Sequence, residues 1–193
     1  MSIELGNQSP EICKEAANIG IATILSSEII KNCRGATLVS AYFEYLLKLA
    51  TLLLKHGYGY EELGQSAVTD ALFNGLKNSD SIPIQKAALF VVPYLTQDVE
   101  QRKKLYEADS FSILWGFFLD SIKAADRDLL YRSVIALSNF TNDEKTRLLI
   151  ASAHKTYNTF GALAECLDRT KYIPPATRLA AAGITARMAK LGV

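Results

Sequence analysis

The sequence predicts an all-α fold built from antiparallel helices, and three observations carry that expectation. Strand signals are scarce: no long apolar–polar alternation occurs, and no Asn-Gly or Asp-Gly pair separates two apolar runs. Apolar residues recur instead at three- and four-residue steps over long windows. Helix start and stop residues punctuate these windows, with only short polar gaps between them.

The elements follow in chain order. Ser9-Pro10-Glu11 supplies an N-cap, a proline at the first helical position and an early acid. The helix it opens is expected to run to Cys33, with Gly35 as the left-handed residue beyond its end. A second helix is expected from Thr37 to His56, closing on Gly57, with an apolar stripe of Leu38, Tyr42, Tyr45, Leu46, Leu49, Leu52 and Leu53. A third covers roughly 60–77. Later helices start at Ser81, near Val99, at Ser110, at Asp126 and at Asp143; another crosses Gly161 to Leu167, and the last runs from Pro175 to Leu191. His154, in "SAHKTYN", reads as a loop residue. "FSILWGFF" carries aromatics on nearly every side and reads as a central buried helix. Connections this short imply antiparallel neighbours. With no Pro/Gly/Ser-rich linker, residues 1–193 read as one all-helical domain.

Composition bounds the function. The chain holds 21 Lys and Arg against 20 Asp and Glu, a net charge of +1. A nucleic-acid binder draws affinity from neutralising phosphates and usually shows a clear basic surplus, so no nucleic-acid partner is expected. Cys13, Cys33 and Cys166 are odd in number and form no CxxC pair, which fits free thiols in a reducing compartment. The N-terminus lacks a signal pattern, and the longest apolar runs fall short of the ~20 residues of a membrane span. A cytoplasmic protein is expected. No HExxH, nucleophile elbow or phosphate loop occurs, so the expectation is a non-enzyme with no cofactor and no metal.

An internal echo organises the second half. "IPIQKAALFVVPYLTQDVEQRKKLYEAD" and "RDLLYRSVIALSNFTNDEKTRLLIASAH" share an apolar helix, a Thr-amide-Asp turn and a charged helix. Thr96-Gln97-Asp98 precedes Thr141-Asn142-Asp143 by 45 positions, and Phe111 precedes Phe160 by 49. The repeats are expected at 81–125 and 126–173, with a partial copy at 174–193. A period of ~40–47 residues with two or three helices per unit belongs to stacked helical arrays, in which neighbouring hairpins share a core that one hairpin cannot close.

The segment "LLYRSVIALSNFTNDEKTRLLIASAHKTYNTFGALAECL" resembles an armadillo repeat: a long third helix ending "ALSNF", a short helix after the turn, then "GALAECL". The match is good over 126–167, fair over 82–120 and weak before Ser81. The resemblance implies an all-α, short armadillo/HEAT-like right-handed α-solenoid; the alternative is a non-repeating helical bundle. It also implies a non-catalytic protein-interaction module (an adaptor, scaffold or co-chaperone) that binds a partner segment on its long helices. In that family an Asn at the position of Asn139 hydrogen-bonds the backbone of an extended ligand, for which a carboxamide supplies both donor and acceptor. The neighbouring copies carry Pro93 or a residue close to it, and Thr185 or Ala186, so a ladder of such amides is missing.

Lys86, Arg132 and Arg178 fall 46 apart and form a candidate basic ladder; with Asn139 they are the candidate partner-binding residues. The C-terminal "LAAAGITARMAKLGV" has no polar outer face of its own, so self-association there, or a longer parent protein, is expected. The rival reading is a HEAT-like nucleic-acid-processing enzyme, which would need a basic groove and a buried carboxylate; a purely structural bundle is a further alternative.

Overall fold

The computed structural model describes residues 10–34, 40–78, 82–107, 110–168 and 171–191. The regular elements among them are all α-helices: α1 Pro10–Asn18, α2 Ile21–Arg34, α3 Ser40–Lys55, α4 Tyr60–Leu63, α5 Ser66–Asn78, α6 Ile82–Leu95, α7 Val99–Glu107, α8 Ser110–Lys123, α9 Arg127–Phe140, α10 Glu144–Tyr157, α11 Thr159–Leu167 and α12 Pro175–Ala189. They form two compact units, divided between Lys104 and Leu105.

Three expected boundaries are corrected. The helix expected to run on to Cys33 breaks into α1 and α2. Gly20 adopts φ +80° there, and its amide closes a turn onto Ala17 O at 3.0 Å, so the chain changes direction where only glycine is unstrained. The helix expected at 60–77 is likewise two, α4 and α5, because Gly64 ends the first after a single turn. His154 lies inside α10 rather than in a loop. Gly35, Thr37, Leu38 and Ser81 lie outside the described residues.

In the first unit, α2 packs on α3 and α5, and α3 and α5 pack on α6. The core of this unit includes Phe43, Leu47, Leu53, Leu54, Leu72, Ile84 and Leu89. Of the stripe expected on α3, Leu46, Leu52 and Leu53 are buried as expected, whereas Tyr42 and Tyr45 are exposed and Phe43, Leu47 and Ala50 face inward beside it. Most α3 positions are apolar, so periodicity alone does not fix which face is covered. Tyr42 tolerates water through its hydroxyl, which donates to Glu28 at 3.3 Å. The stop at Gly57 is as expected. Gly57 has φ +84°, its amide bonds Leu54 O, and Tyr58 N bonds Leu53 O, both at 3.0 Å, which is the Schellman closure.

In the second unit, α8 and α12 both pack on α9, and α11 packs on α12. Asp126 caps α9, its Oδ1 accepting from the amides of Asp128 at 3.2 Å and Leu129 at 3.1 Å. The aromatic segment is core as expected. Trp115 packs on Phe118 at 5.0 Å between centroids, and Phe111 meets Phe140 edge-on at 6.3 Å. Pairs of this kind add ~0.5–1.5 kcal/mol to plain area burial. Cys13 and Cys166 are buried free thiols.

The internal echo is physical. In the turn after α6, Thr96 Oγ1 donates to Pro93 O at 3.0 Å, and Arg102 Nη1 donates to Thr96 O at 2.9 Å and Gln97 O at 2.7 Å. In the turn after α9, Thr141 Oγ1 donates to Ser138 O at 2.7 Å, and Arg147 Nη1 donates to Thr141 O at 2.9 Å and Asn142 O at 3.1 Å. The two turns thus use the same atoms for the same bonds, 45 positions apart. The last carbonyls of a helix lack intrahelical partners, and in each turn an arginine from the following helix supplies donors. The motif is Thr, an amide, Asp, three residues, Arg.

Candidate functional site

The four candidate residues sit on the long helices. Lys86 is half-buried on α6 in the first unit. Arg132 and Asn139 are half-buried on α9, and Arg178 is half-buried on α12 in the same unit. Arg132 Nη2 reaches Asp128 Oδ1 at 3.1 Å, one turn back on its own helix. Arg178 Nη2 donates to Lys171 O at 2.7 Å and ties down the segment before α12. Asn139 lies in the last turn of α9, where its carbonyl accepts from Asn142 N at 3.1 Å. The turn hydrogen bonds align Ser138 with Pro93, which makes Tyr94 the counterpart of Asn139 in the earlier turn.

Beside Asn139 stands a cluster that sequence reasoning missed. Arg187, in the last turn of α12, reaches across to the end of α9. Its Nε donates to Thr141 Oγ1 at 2.8 Å, and its Nη2 donates to Ser138 O at 2.9 Å and Ser138 Oγ at 2.6 Å. Arg147 approaches the same threonine from α10 through its carbonyl. Burial lowers the Arg187 pKa from its ordinary value, and the neighbouring charge of Arg147 lowers it further. The 45-residue echo of Arg102 could have found Arg147. No local signal could have found Arg187, which lies 46 residues from Thr141.

A pocket of about 250 Å³ opens elsewhere in this unit, between the end of α8, the start of α9 and residues 171–173. Arg127 stacks over the Tyr172 ring at 4.3 Å, and Lys171 pairs with Glu165 at 2.7 Å. Among the described residues no cluster of His, Cys, Asp and Glu is arranged to hold a metal, and no helix is long and apolar enough to cross a membrane.

No protein-family model matches the chain, and no curated protein matches it in sequence. Solved structures do match. A designed armadillo repeat protein aligns with a TM-score of 0.68 at 15% identity, over 97% of this chain and 72% of its own. A second, computationally designed for modular peptide recognition, gives 0.69 at 17% identity, over 96% and 71%. A third, solved in complex with the peptide (KR)4, gives 0.64 at 16% identity, over 95% and 78%. The likeness extends through α1–α5, where the sequence resemblance was weak. With twelve helices in this order among the described residues and the repeated turn chemistry, the chain has the armadillo-type, all-α helical-repeat fold.

Proposed function

We propose that the chain is a non-catalytic protein-interaction module that holds an extended partner segment on the surface lined by α9 and α12. The observation that carries this reading is the placement of Asn139, Arg132 and Arg178. All three are polar, half-buried and carried on two helices that pack against each other, in a fold that has been designed elsewhere for peptide recognition. Half-burial is what a contact residue needs: it is held in place by its neighbours and still reachable. Lys86, on α6 of the first unit, is a separate candidate contact. An adaptor, scaffold or co-chaperone acting in the cytoplasm is the role this module would serve.

A peptide array probed with the full chain tests the proposal. Wild-type protein is expected to retain extended peptides, and the Asn139→Ala variant is expected to lose about tenfold in affinity, the scale of a charge-free hydrogen-bond pair left unmade. Equal binding by the variant would remove Asn139 from the surface. Retention of DNA at low salt, with none of peptides, would revive the nucleic-acid reading.

Self-association through α12 is a second proposal, resting on Leu179, which is 76% exposed on that helix. A Leu179→Glu variant is expected to stay monomeric at concentrations where the wild type gains mass in light scattering. A wild type that is monomeric throughout would end this reading.

A further inference from the structure

We infer that the partner segment is acidic, and that Arg147 and Arg187 form the site that takes one of its carboxylates; this rests on the peptide-binding reading above. Both guanidiniums converge on Thr141, one on its carbonyl and one on its hydroxyl. Among the described residues, neither has an ion-pair partner.

The surroundings sharpen the charge imbalance. Helices α9 and α12 carry Arg127, Arg132, Arg178 and Arg187, against the single acid Asp128, which already pairs with Arg132. Two like charges held at one threonine repel, and carbonyl contacts offset that repulsion only in part.

A structural purpose accounts for half of the donors. Arg147 Nη1 and Arg187 Nε and Nη2 cap the end of α9. A guanidinium carries five N–H groups in a fixed fork. Arg187 therefore retains both hydrogens on Nη1, and Arg147 both on Nη2. Arg147 Nε is buried without a hydrogen-bond partner. The fork of Arg187 lies over Gly183, whose missing side chain leaves Nη1 and Nη2 about 3.5 Å from the position a Cβ would take. Pre-positioned arginine donors match a carboxylate in geometry as well as charge. A basic segment such as (KR)4 would meet repulsion at this point.

The test is fluorescence anisotropy of three labelled octapeptides, (DE)4, (KR)4 and (GS)4, titrated with the full chain. The acidic peptide is expected to bind at least about tenfold tighter than the neutral one, with affinity falling as salt rises. Arg147→Gln, and Arg187→Lys, which keeps the charge and removes the fork, are each expected to cut that preference several-fold, whereas Lys123→Gln, the same change in net charge as Arg147→Gln at an exposed residue of α8, leaves it unchanged. Arginine side-chain NMR signals of the wild type are expected to shift with (DE)4 and not with (GS)4, a readout that does not depend on variants folding. Equal binding of all three peptides would overturn the acidic preference and leave the peptide-binding reading standing. Binding of none would overturn both.

Discussion

Arg187 Nε lies 2.8 Å from Thr141 Oγ1, so a side chain in the last turn of α12 is bonded to the residue that ends α9. The threonine hydroxyl donates to Ser138 O at the same time, and both lone-pair and proton sites are used. Thr141→Val keeps the shape and deletes both bonds. It is expected to destabilise the fold by about 1–3 kcal/mol, the cost of leaving buried donors and acceptors unmet. Urea denaturation followed by circular dichroism measures this. A change below about 0.5 kcal/mol, the range of ordinary surface substitutions, would show that the contact is incidental.

The two turn arginines make a graded pair. Arg102 is 6% exposed and Arg147 is half-exposed, although each donates to the same two carbonyls of its turn. Arg102→Ala is therefore expected to cost more than Arg147→Ala. Both should fall near the ~1.5–3 kcal/mol of hydrogen bonds to a charged group, the second at the low end. Thermal melts of the two variants side by side check the order, and a reversed order would break the argument from burial.

Asp126 caps α9 with two amide contacts. Asp126→Ala is expected to lower stability by about 1 kcal/mol, and Asp126→Asn to recover most of it, because the amide oxygen serves the same amides. If asparagine does not recover it, the carboxylate charge at the helix start matters more than the cap.

Cys166 gives a pH signature. Burial pushes its thiol up from 9.0 to about 11, with the Glu165 charge adding to the rise. The folded state thus holds its proton where the unfolded state has released it. The sign follows: stability is unaffected by this group below pH 9 and declines as pH rises from 9 to about 11. In Cys166→Ala that decline is expected to shrink in pH-dependent melts. Iodoacetamide at pH 8 is expected to modify the folded wild type far more slowly than the urea-unfolded chain.

Helix identity was legible where capping chemistry is strong. Asp126, Gly57 and Pro175 each announce a boundary through one residue's own backbone preference, and the structure keeps all three. The repeat was legible in Thr96-Gln97-Asp98 and Thr141-Asn142-Asp143, since identical turns need identical side chains. Gly20 and Gly64 announce no boundary in the sequence, because a single glycine between helix-forming residues is a weak breaker and becomes decisive only where the chain turns. The α3 stripe misled for the opposite reason: Tyr42 and Tyr45 count as apolar in a pattern but stand in water. As for the candidate site, Arg132, Asn139 and Arg178 could be placed on their helices from spacing alone. Arg187 could not, since its role depends on α12 lying against α9, and no local pattern encodes that contact.

The capped turn is also a natural splice junction. Its threonine-hydroxyl and Arg102 or Arg147 Nη1 bonds link Pro93 to Arg102 in one copy and Ser138 to Arg147 in the other. A stretch whose capping bonds come from the same side chains at matching positions can be exchanged between the two copies and keep those bonds at the helix end. Lengthening or shortening this array by whole repeats would therefore be joined at the Thr-amide-Asp step, which recurs at the same place inside each repeat, 45 positions apart.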